Sequence, residues 1–363
     1  MIAKTRFPRP MTPEQVRKIK PIEATRRPPA VSTTRVASAF LSFDKGARPE
    51  ANTRLEHVRD VQGNGIWRLD VETRGSLVSP DFARPPVVRR ALNPKIIKGI
   101  RGPLETAPAR PKFLGLNPIP KRFRPGPQPI LRRRNGQRVE PLYVFPPDGR
   151  WSYHDHHYPW CCFGQVVCGT RVGSGVLIGP RHVLTASHIL DWNAPWAAFY
   201  ANLRGSHHHG VAYTWCVWYY EKIGNEGGSI DRDYVVLVLD QYLGTADKFG
   251  CMGAKTYVDD YDGGPYWRSL GYEEDFSAAT LPTYQSGISL EEIDGGNAKA
   301  MSTRDGDFLH AHSGGPVFAW WDGGPYVIGV VCAGAEDNDG LMNIVSGGVA
   351  MVRLIKAARE QTP

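Results

Sequence analysis

The sequence has no run of about 18 apolar residues, the minimum for a helix that crosses a bilayer. No apolar stretch opens it either: Met1–Pro13 carries Lys4, Arg6 and Arg9 among several prolines, unlike a secretory leader. HExxH and CxxC patterns are missing, which removes the commonest spacing signatures of zinc and redox sites. Cysteine is absent before residue 161, and acidic residues are scarce before residue 151. That first stretch holds 31 Lys/Arg against 12 Asp/Glu, a balance of +19, and 22 of the 30 prolines. Residues 151–363 hold 13 Lys/Arg against 24 Asp/Glu, a balance of −11. So many prolines without long periodic apolar segments imply a largely irregular extension over 1–150. Val36–Phe43 and Gly65–Val71 are apolar enough for a strand or two. Residues 151–363 are long enough to bury one sizeable β-rich core.

What is present is concentrated in that second part. His312-Ser313-Gly314-Gly315-Pro316-Val317 sets a serine before two glycines and a proline, leading into an apolar run. Glycine permits positive φ and close approach of backbone to substrate, and proline fixes the exit into a strand. Taken alone, the stretch reads equally well as a surface turn. Upstream, Gly173–Gly179 and Val183–Ser187 read as two strands about a Gly179-Pro180 turn, with His188 where the second ends. Asp231-Arg232-Asp233 then precedes the apolar run Tyr234–Leu239. A serine hydroxyl is a poor nucleophile at neutral pH. An imidazole must take its proton, and a carboxylate must steady the imidazolium that forms. Asp231 and Asp233 share a face if the segment is extended. Asp233 is preferred because the apolar run follows it at once.

Strand signals recur at Gln165–Cys168, Val176–Ile178, Val211–Tyr220, Tyr234–Leu239, Tyr266–Leu270, Val317–Trp321 and Tyr326–Cys332. Asp-Gly-Gly-Pro-Tyr occurs at Asp262–Tyr266 and Asp322–Tyr326 and reads as a reused hairpin turn. Val352–Glu360 has helix formers with Val352, Ile355 and Ala358 on one face, which predicts a C-terminal helix.

The chain order His188, Asp233, Ser313, with Thr-Ala-Ser-His at 185–188 and Asp-Tyr-Val-Val-Leu-Val-Leu at 233–239, resembles the trypsin-like (chymotrypsin-fold) serine peptidases. The resemblance runs from about Trp151 to the C-terminus. It implies an all-β fold of two packed antiparallel six-stranded barrels, with the helix docked on the second. It implies Ser313 as nucleophile, His188 as general base and then acid, and Asp233 as the carboxylate holding the imidazole. The oxyanion hole would use the amides of Ser313 and Ala311. Glycine is usual at the latter place, and losing one such donor costs about 10²–10³ in rate. His310 flanks the same turn.

Several positions depart from the family pattern. Digestive-type members carry an aspartate before the nucleophile, which pairs with the amine freed on activation. Here that residue is His312, so the oxyanion loop must be ordered by other means, as in the glutamyl-endopeptidase branch. Gly271-Tyr272 is similar to a Gly-Tyr-Pro segment of that branch, with Glu273 in place of the proline. By the same resemblance, Asp307 lies at the floor of the primary substrate pocket, where a carboxylate selects Arg or Lys. Phe308 follows with a ring large enough to fill that pocket, and Gly334 forms part of its wall. Val331 stands where a glutamate-specific enzyme has histidine, and Cys332 replaces the serine that contacts the catalytic carboxylate.

Six cysteines, Cys161, Cys162, Cys168, Cys216, Cys251 and Cys332, lead to the expectation of an oxidising, secreted or extracellular destination with disulfides. The family's cysteine after the catalytic histidine is Ile189 here, so no pairing is assigned. His154, His156 and His157, and His207–His209, are read as solvated loop histidines, since neighbours on an extended chain point apart. No metal and no cofactor is expected.

The basic extension is expected to be a pro-segment, with Arg134 and Arg150 as cleavage candidates and self-processing as a route. Its charge opposes that of the domain, which favours docking. Polyanion binding and a plain linker are the competing readings. The sequence therefore predicts a monomeric serine endopeptidase acting on proteins or peptides, domain 151–363 behind extension 1–150. Its rival is a catalytically impaired peptidase-like binding protein with a polyanion-binding arm.

Overall fold

The computed structural model describes residues 7–25, 34–41, 54–59, 65–74, 87–93, 102–123 and 143–363, apart from 195, 206–207, 225–227 and 278. Six strands make the first barrel: β1 Phe163–Cys168, β2 Arg171–Gly179, β3 His182–Thr185, β4 Ala197–Ala201, β5 Gly210–Tyr219 and β6 Val235–Leu239. They pair in the order β4-β1-β2-β3-β6-β5, and a further β4–β5 pairing closes the ring. Closure leaves β6 buried along its whole length, which is why Val235–Leu239 is a continuous apolar run rather than an alternating one.

The second half is built from β7 Trp267–Tyr272, β8 Pro282–Ile288, β9 Glu291–Asp294, β10 Lys299–Thr303, β11 Pro316–Trp321, β12 Gly324–Asp337 and β13 Gly340–Gly347. Their order is β9-β10-β13-β12-β11-β7-β8, and Trp151–Tyr153 and Arg122–Phe123 continue the sheet beyond β8. Among the described residues the pairings close only the first barrel into a ring; the second half is a long sheet. One apolar core runs through the first barrel into the second half, joining Val176, Leu184 and Val236 to Leu270, Phe318 and Val330. A separate core lies within the second sheet around Trp267, Phe308, Trp321 and Val331.

The C-terminal helix, α1 Val349–Gln361, buries Met351, Val352, Leu354, Ile355 and Ala358. It docks against the first barrel rather than the second as expected. His182 Nε2 lies 3.2 Å from the Ala358 carbonyl and 3.0 Å from that of Thr362, and Trp218 Nε1 donates to Thr362 Oγ1 at 3.2 Å. Among the described residues no helix is long and apolar enough to cross a membrane.

The described parts of the extension combine irregular chain with short strands, and several of them are tied to the domain. Pro8 and Met11 reach the second half: the Pro8 carbonyl accepts from Tyr261 Oη and Trp321 Nε1, and the Met11 amide donates to Trp320. The short helix Pro13–Arg17 follows, started by a Thr12/Gln15 capping box, with Val16 fully buried. Val88–Ala91 adds a parallel strand to Cys216–Tyr219 of the first barrel. Thr34–Leu41, Arg54–Arg59 and Gly65–Arg74 form a three-stranded antiparallel sheet, so both predicted apolar runs do yield strands. The compositional boundary at 150/151 lies within a continuous described run that starts at residue 143.

All six cysteines are buried free thiols, so the structure contains none of the expected disulfides.

Candidate active site

β3 ends at Thr185, and the chain turns through a single 3₁₀ turn at Ser187–Ile189 that carries His188. Ser187 fastens this turn: its hydroxyl donates to the Glu221 carbonyl and accepts from the Ile223 amide, both at 3.0 Å. Arg171 holds the His188 carbonyl at 2.6 Å. A second 3₁₀ turn, Ile230–Arg232, delivers Asp233 to the mouth of β6. Asp233 then grips His188 twice, Oδ1 accepting from the His188 amide at 2.9 Å and Oδ2 facing Nδ1 at 2.5 Å. The Asp233 side chain is 6% exposed and that of His188 is 31% exposed. The imidazole is thus clasped from behind, and its Nε2 has no partner among the described residues. Asp231, the alternative carboxylate, bonds instead to Ser229 Oγ and neighbours Arg232. Because Asp231 lies in a turn and not an extended strand, the two aspartates do not share a face.

Ser313 is half-buried on the turn between β10 and β11. The Gly314 amide donates to the Val331 carbonyl at 2.8 Å, and the Ser174 amide of β2 donates to the Ser313 carbonyl at 2.8 Å. Gly314 has φ +78°, and a Cβ there would lie 2.3 Å from Thr185 Oγ1, 2.4 Å from the Ser174 carbonyl and 2.7 Å from Ile189 Cδ1. Only glycine fits. That contact is the useful one, because it sets the serine turn directly against the turn that carries His188.

Ala311 sits at φ +70°, the left-handed conformation that glycine would adopt without strain. Its carbonyl accepts from Ser174 Oγ at 2.9 Å, and the same hydroxyl accepts from the Tyr272 amide at 2.9 Å. The amides of Ala311 and Ser313 have no acceptor among the described residues. Two unspent N–H groups one residue apart, beside a serine, are suited to an anionic oxygen.

Between those amides stands His312, buried to 2% exposure. Its Nδ1 faces Glu273 Oε1 at 2.6 Å and its Nε2 faces Ser269 Oγ at 2.7 Å. Glu273, fully buried, binds Arg150 through its other oxygen at 2.8 Å, and Asp148 and Asp275 bracket the same guanidinium at 3.0 and 2.8 Å. Burial pushes Glu273 up, but Arg150 and His312 outweigh it and hold the carboxyl below its usual range. Burial likewise opposes the charge on Arg150, yet Glu273 and the aspartates keep it firmly protonated.

The remaining sequence candidates occupy varied places. Asp307 is buried, and its carboxylate accepts from the amides of Phe145 and Gly149, both at 2.7 Å, and from Gln285 Nε2 at 3.1 Å. Burial raises its pKa to about 6 against the pull of the Gly149 and Phe145 amides. Phe308 is buried against the His312 ring, 4.6 Å between centroids. Val331 is buried and Gly334 is half-exposed on β12. Cys332 donates to the Ile344 carbonyl at 3.4 Å; burial pushes its thiol well up, and the charge of Asp233 adds to this. Arg150 is 3% exposed, its guanidinium clasped by the three carboxylates, so it is not displayed for cleavage. Arg134 lies outside the described residues, as does His207. His154, His156, His208 and His209 are exposed, His156 and His209 stacking at 4.5 Å beside Asn202.

Sequence reasoning missed Glu273, Arg150 and Ser174 as parts of this site. Arg150 and Glu273 are 123 residues apart, and no local pattern announces such a pairing.

No protein-family model and no curated protein matches this chain. Solved structures with a similar course include a Glu endopeptidase in complex with MPD, 20% identical with a TM-score of 0.49, covering 60% of this chain and all of that one. They also include the protease Anisep from Arthrobacter nicotinovorans, at 19% and 0.44, covering 56% of this chain and 98% of its own. The thermostable serine protease AL20 from an extremophilic microorganism stands at 18% and 0.42, covering 55% and 98%. These are modest likenesses of fold.

Proposed function

We propose that the chain is a serine endopeptidase that works through an acyl-enzyme. The observation that carries the reading is the two-point clasp of Asp233 on His188, which leaves Nε2 unpartnered on a turn packed against Ser313-Gly314. In this mechanism His188 Nε2 takes the Ser313 hydroxyl proton as the serine oxygen attacks the scissile carbonyl. Asp233 holds Nδ1–H and favours the imidazolium. The Ala311 and Ser313 amides receive the oxyanion. His188 then passes its proton to the leaving amine, and water, activated by the same imidazole, frees Ser313.

Asp307 would support a preference for Arg or Lys by its place six residues before the nucleophile. Its carboxylate is occupied by the chain's own Phe145 and Gly149 amides, however, so that preference is expected to be weak.

The test is labelling of the full chain by a fluorophosphonate probe, which needs an activated serine and a formed oxyanion hole but little specificity. Labelling that disappears with Ser313→Ala is expected. A folded wild-type chain that does not react would overturn the reading and favour the binding-protein alternative.

A further inference from the structure

We propose that Arg150 and Glu273 are positioning residues for the oxyanion turn, so that the active form keeps the Arg150 guanidinium seated on Glu273. The inference rests on the peptidase reading above.

The argument begins with cost. A guanidinium at 3% exposure and a carboxylate at 0% each lose hydration worth several kcal/mol. Such groups stay charged only where partners are fixed in place, and here every partner is. Arg150 Nε and NH2 meet Asp148, NH1 meets Glu273, and NH1 and NH2 meet Asp275. The guanidinium also lies 4.8 Å from the Phe276 ring. Glu273 spends its second oxygen on His312 Nδ1, and His312 spends Nε2 on Ser269.

His312 has little room to move. A Cβ on Gly271 would stand 2.4 Å from its ring, and the Phe308 ring packs tilted against it, 4.6 Å between centroids. The backbone of His312 links the Ala311 and Ser313 amides, so fixing its side chain fixes the two peptide planes that aim those donors. Ala311, held at positive φ, needs such support.

Residues 143–150 enter the same site by a second path. The Phe145 and Gly149 amides bind Asp307, and Tyr143 exchanges hydrogen bonds with Asn343 at 3.1 and 2.7 Å while its carbonyl accepts from Phe308 at 3.1 Å. This segment belongs to the wall of the site. Removing the Arg150 guanidinium from this wall would leave Glu273 and His312 buried without their cation.

The experiment compares the full chain with Arg150→Met, Arg150→Lys and Glu273→Gln, using the fluorophosphonate probe and amide hydrogen exchange of residues 309–315. For Arg150→Met the maximal inactivation rate is expected to fall by about 10²–10³, the cost of one misplaced oxyanion donor, with the probe's half-saturating concentration unchanged. Arg150→Lys should recover at least about tenfold of that loss. Exchange across 309–315 should rise at least about tenfold in the Met variant and stay unchanged in β6. A merely structural role would lower stability without this split between rate and affinity. Should Arg150→Met fail to fold, Glu273→Gln, which keeps shape and removes one charge, carries the same expectations. Variants that fold, react within about threefold of wild type and show unaltered exchange would overturn the proposal. A wild-type chain that never reacts defeats the peptidase reading alone, and the exchange measurement then decides whether the brace exists.

Discussion

His188 faces Asp233 at 2.5 Å and His312 faces Glu273 at 2.6 Å, each through Nδ1. The second pair even has a serine, Ser269, on its other nitrogen at 2.7 Å. By residue type, Ser269-His312-Glu273 is as good a triad as Ser313-His188-Asp233. What separates them is access and charge. His188 is 31% exposed with a free Nε2, whereas His312 is sealed and both its nitrogens are spent. Glu273 is shared with Arg150 and has less negative charge to offer an imidazolium, while Asp233 answers to His188 alone among charged partners. A third pair, His157–Asp155 at 2.6 Å, shows that exposure is not enough, since Asp155 also serves Asn117 and the Lys121 amide. A histidine–carboxylate pair is thus left open to solvent in one setting and sealed into the packing in another.

The largest expected effect breaks that comparison directly. His188→Gln should cut fluorophosphonate labelling by about 10³-fold or more while denaturant unfolding stays within about 1 kcal/mol of wild type. His312→Gln should differ in kind, costing about 3–5 kcal/mol of stability because it takes a partner from buried Glu273, on top of slower labelling from a loosened oxyanion turn. Equal stability losses in the two variants would erase the distinction drawn here. Ala311→Gly sharpens it at smaller scale. Relief of the positive φ is offset by the extra freedom of glycine when unfolded, so a net gain of no more than about 1 kcal/mol is expected with labelling kept. A clear loss of stability would show that Ala311 is not strained. The smallest effect concerns Asp307, whose folded pKa of about 6 exceeds the ordinary carboxylate value. The folded state then holds that proton more tightly than the unfolded one. The resulting stability is present at about pH 4 and is lost as pH rises through 6. Asp307→Asn, lacking this dependence, should gain on wild type in melting temperature between pH 4 and 7; a parallel pair of curves would refute it.

His188, Asp233 and Ser313 could be singled out in the sequence because each lies beside a short apolar strand, a pattern that local composition displays. Most strands of the first barrel were legible for the same reason, as apolar runs bounded by turns, whereas Ala197–Ala201 was not read as one. The apolar run after Asp233 favoured it over Asp231, and the fold adds the physical reason, since the 3₁₀ turn through Asp231 removes the shared face that an extended strand would give. Arg150 was read as a cleavage candidate because a basic residue at a compositional boundary looks exposed; its side chain is in fact buried, and its three carboxylates come from both sides of that boundary. Glu273 looked like a substitution for proline, and nothing local marked it as a partner of His312. The helix was placed correctly in sequence but on the wrong neighbour, because amphipathicity fixes a face and not what covers it.

The attachment of the extension has a further meaning. It holds the second half through Pro8 and Met11, lies along the first barrel through Val88–Ala91, and bridges Ile22 to Leu116 and Leu116 to Tyr158. A chain moored at several points is multivalent toward its own body, and each contact keeps the others at high local concentration. Severing one peptide bond between moorings would therefore not set the pieces adrift. For this protein, being cut and coming apart are separate events, and the basic arm stays on board after the first.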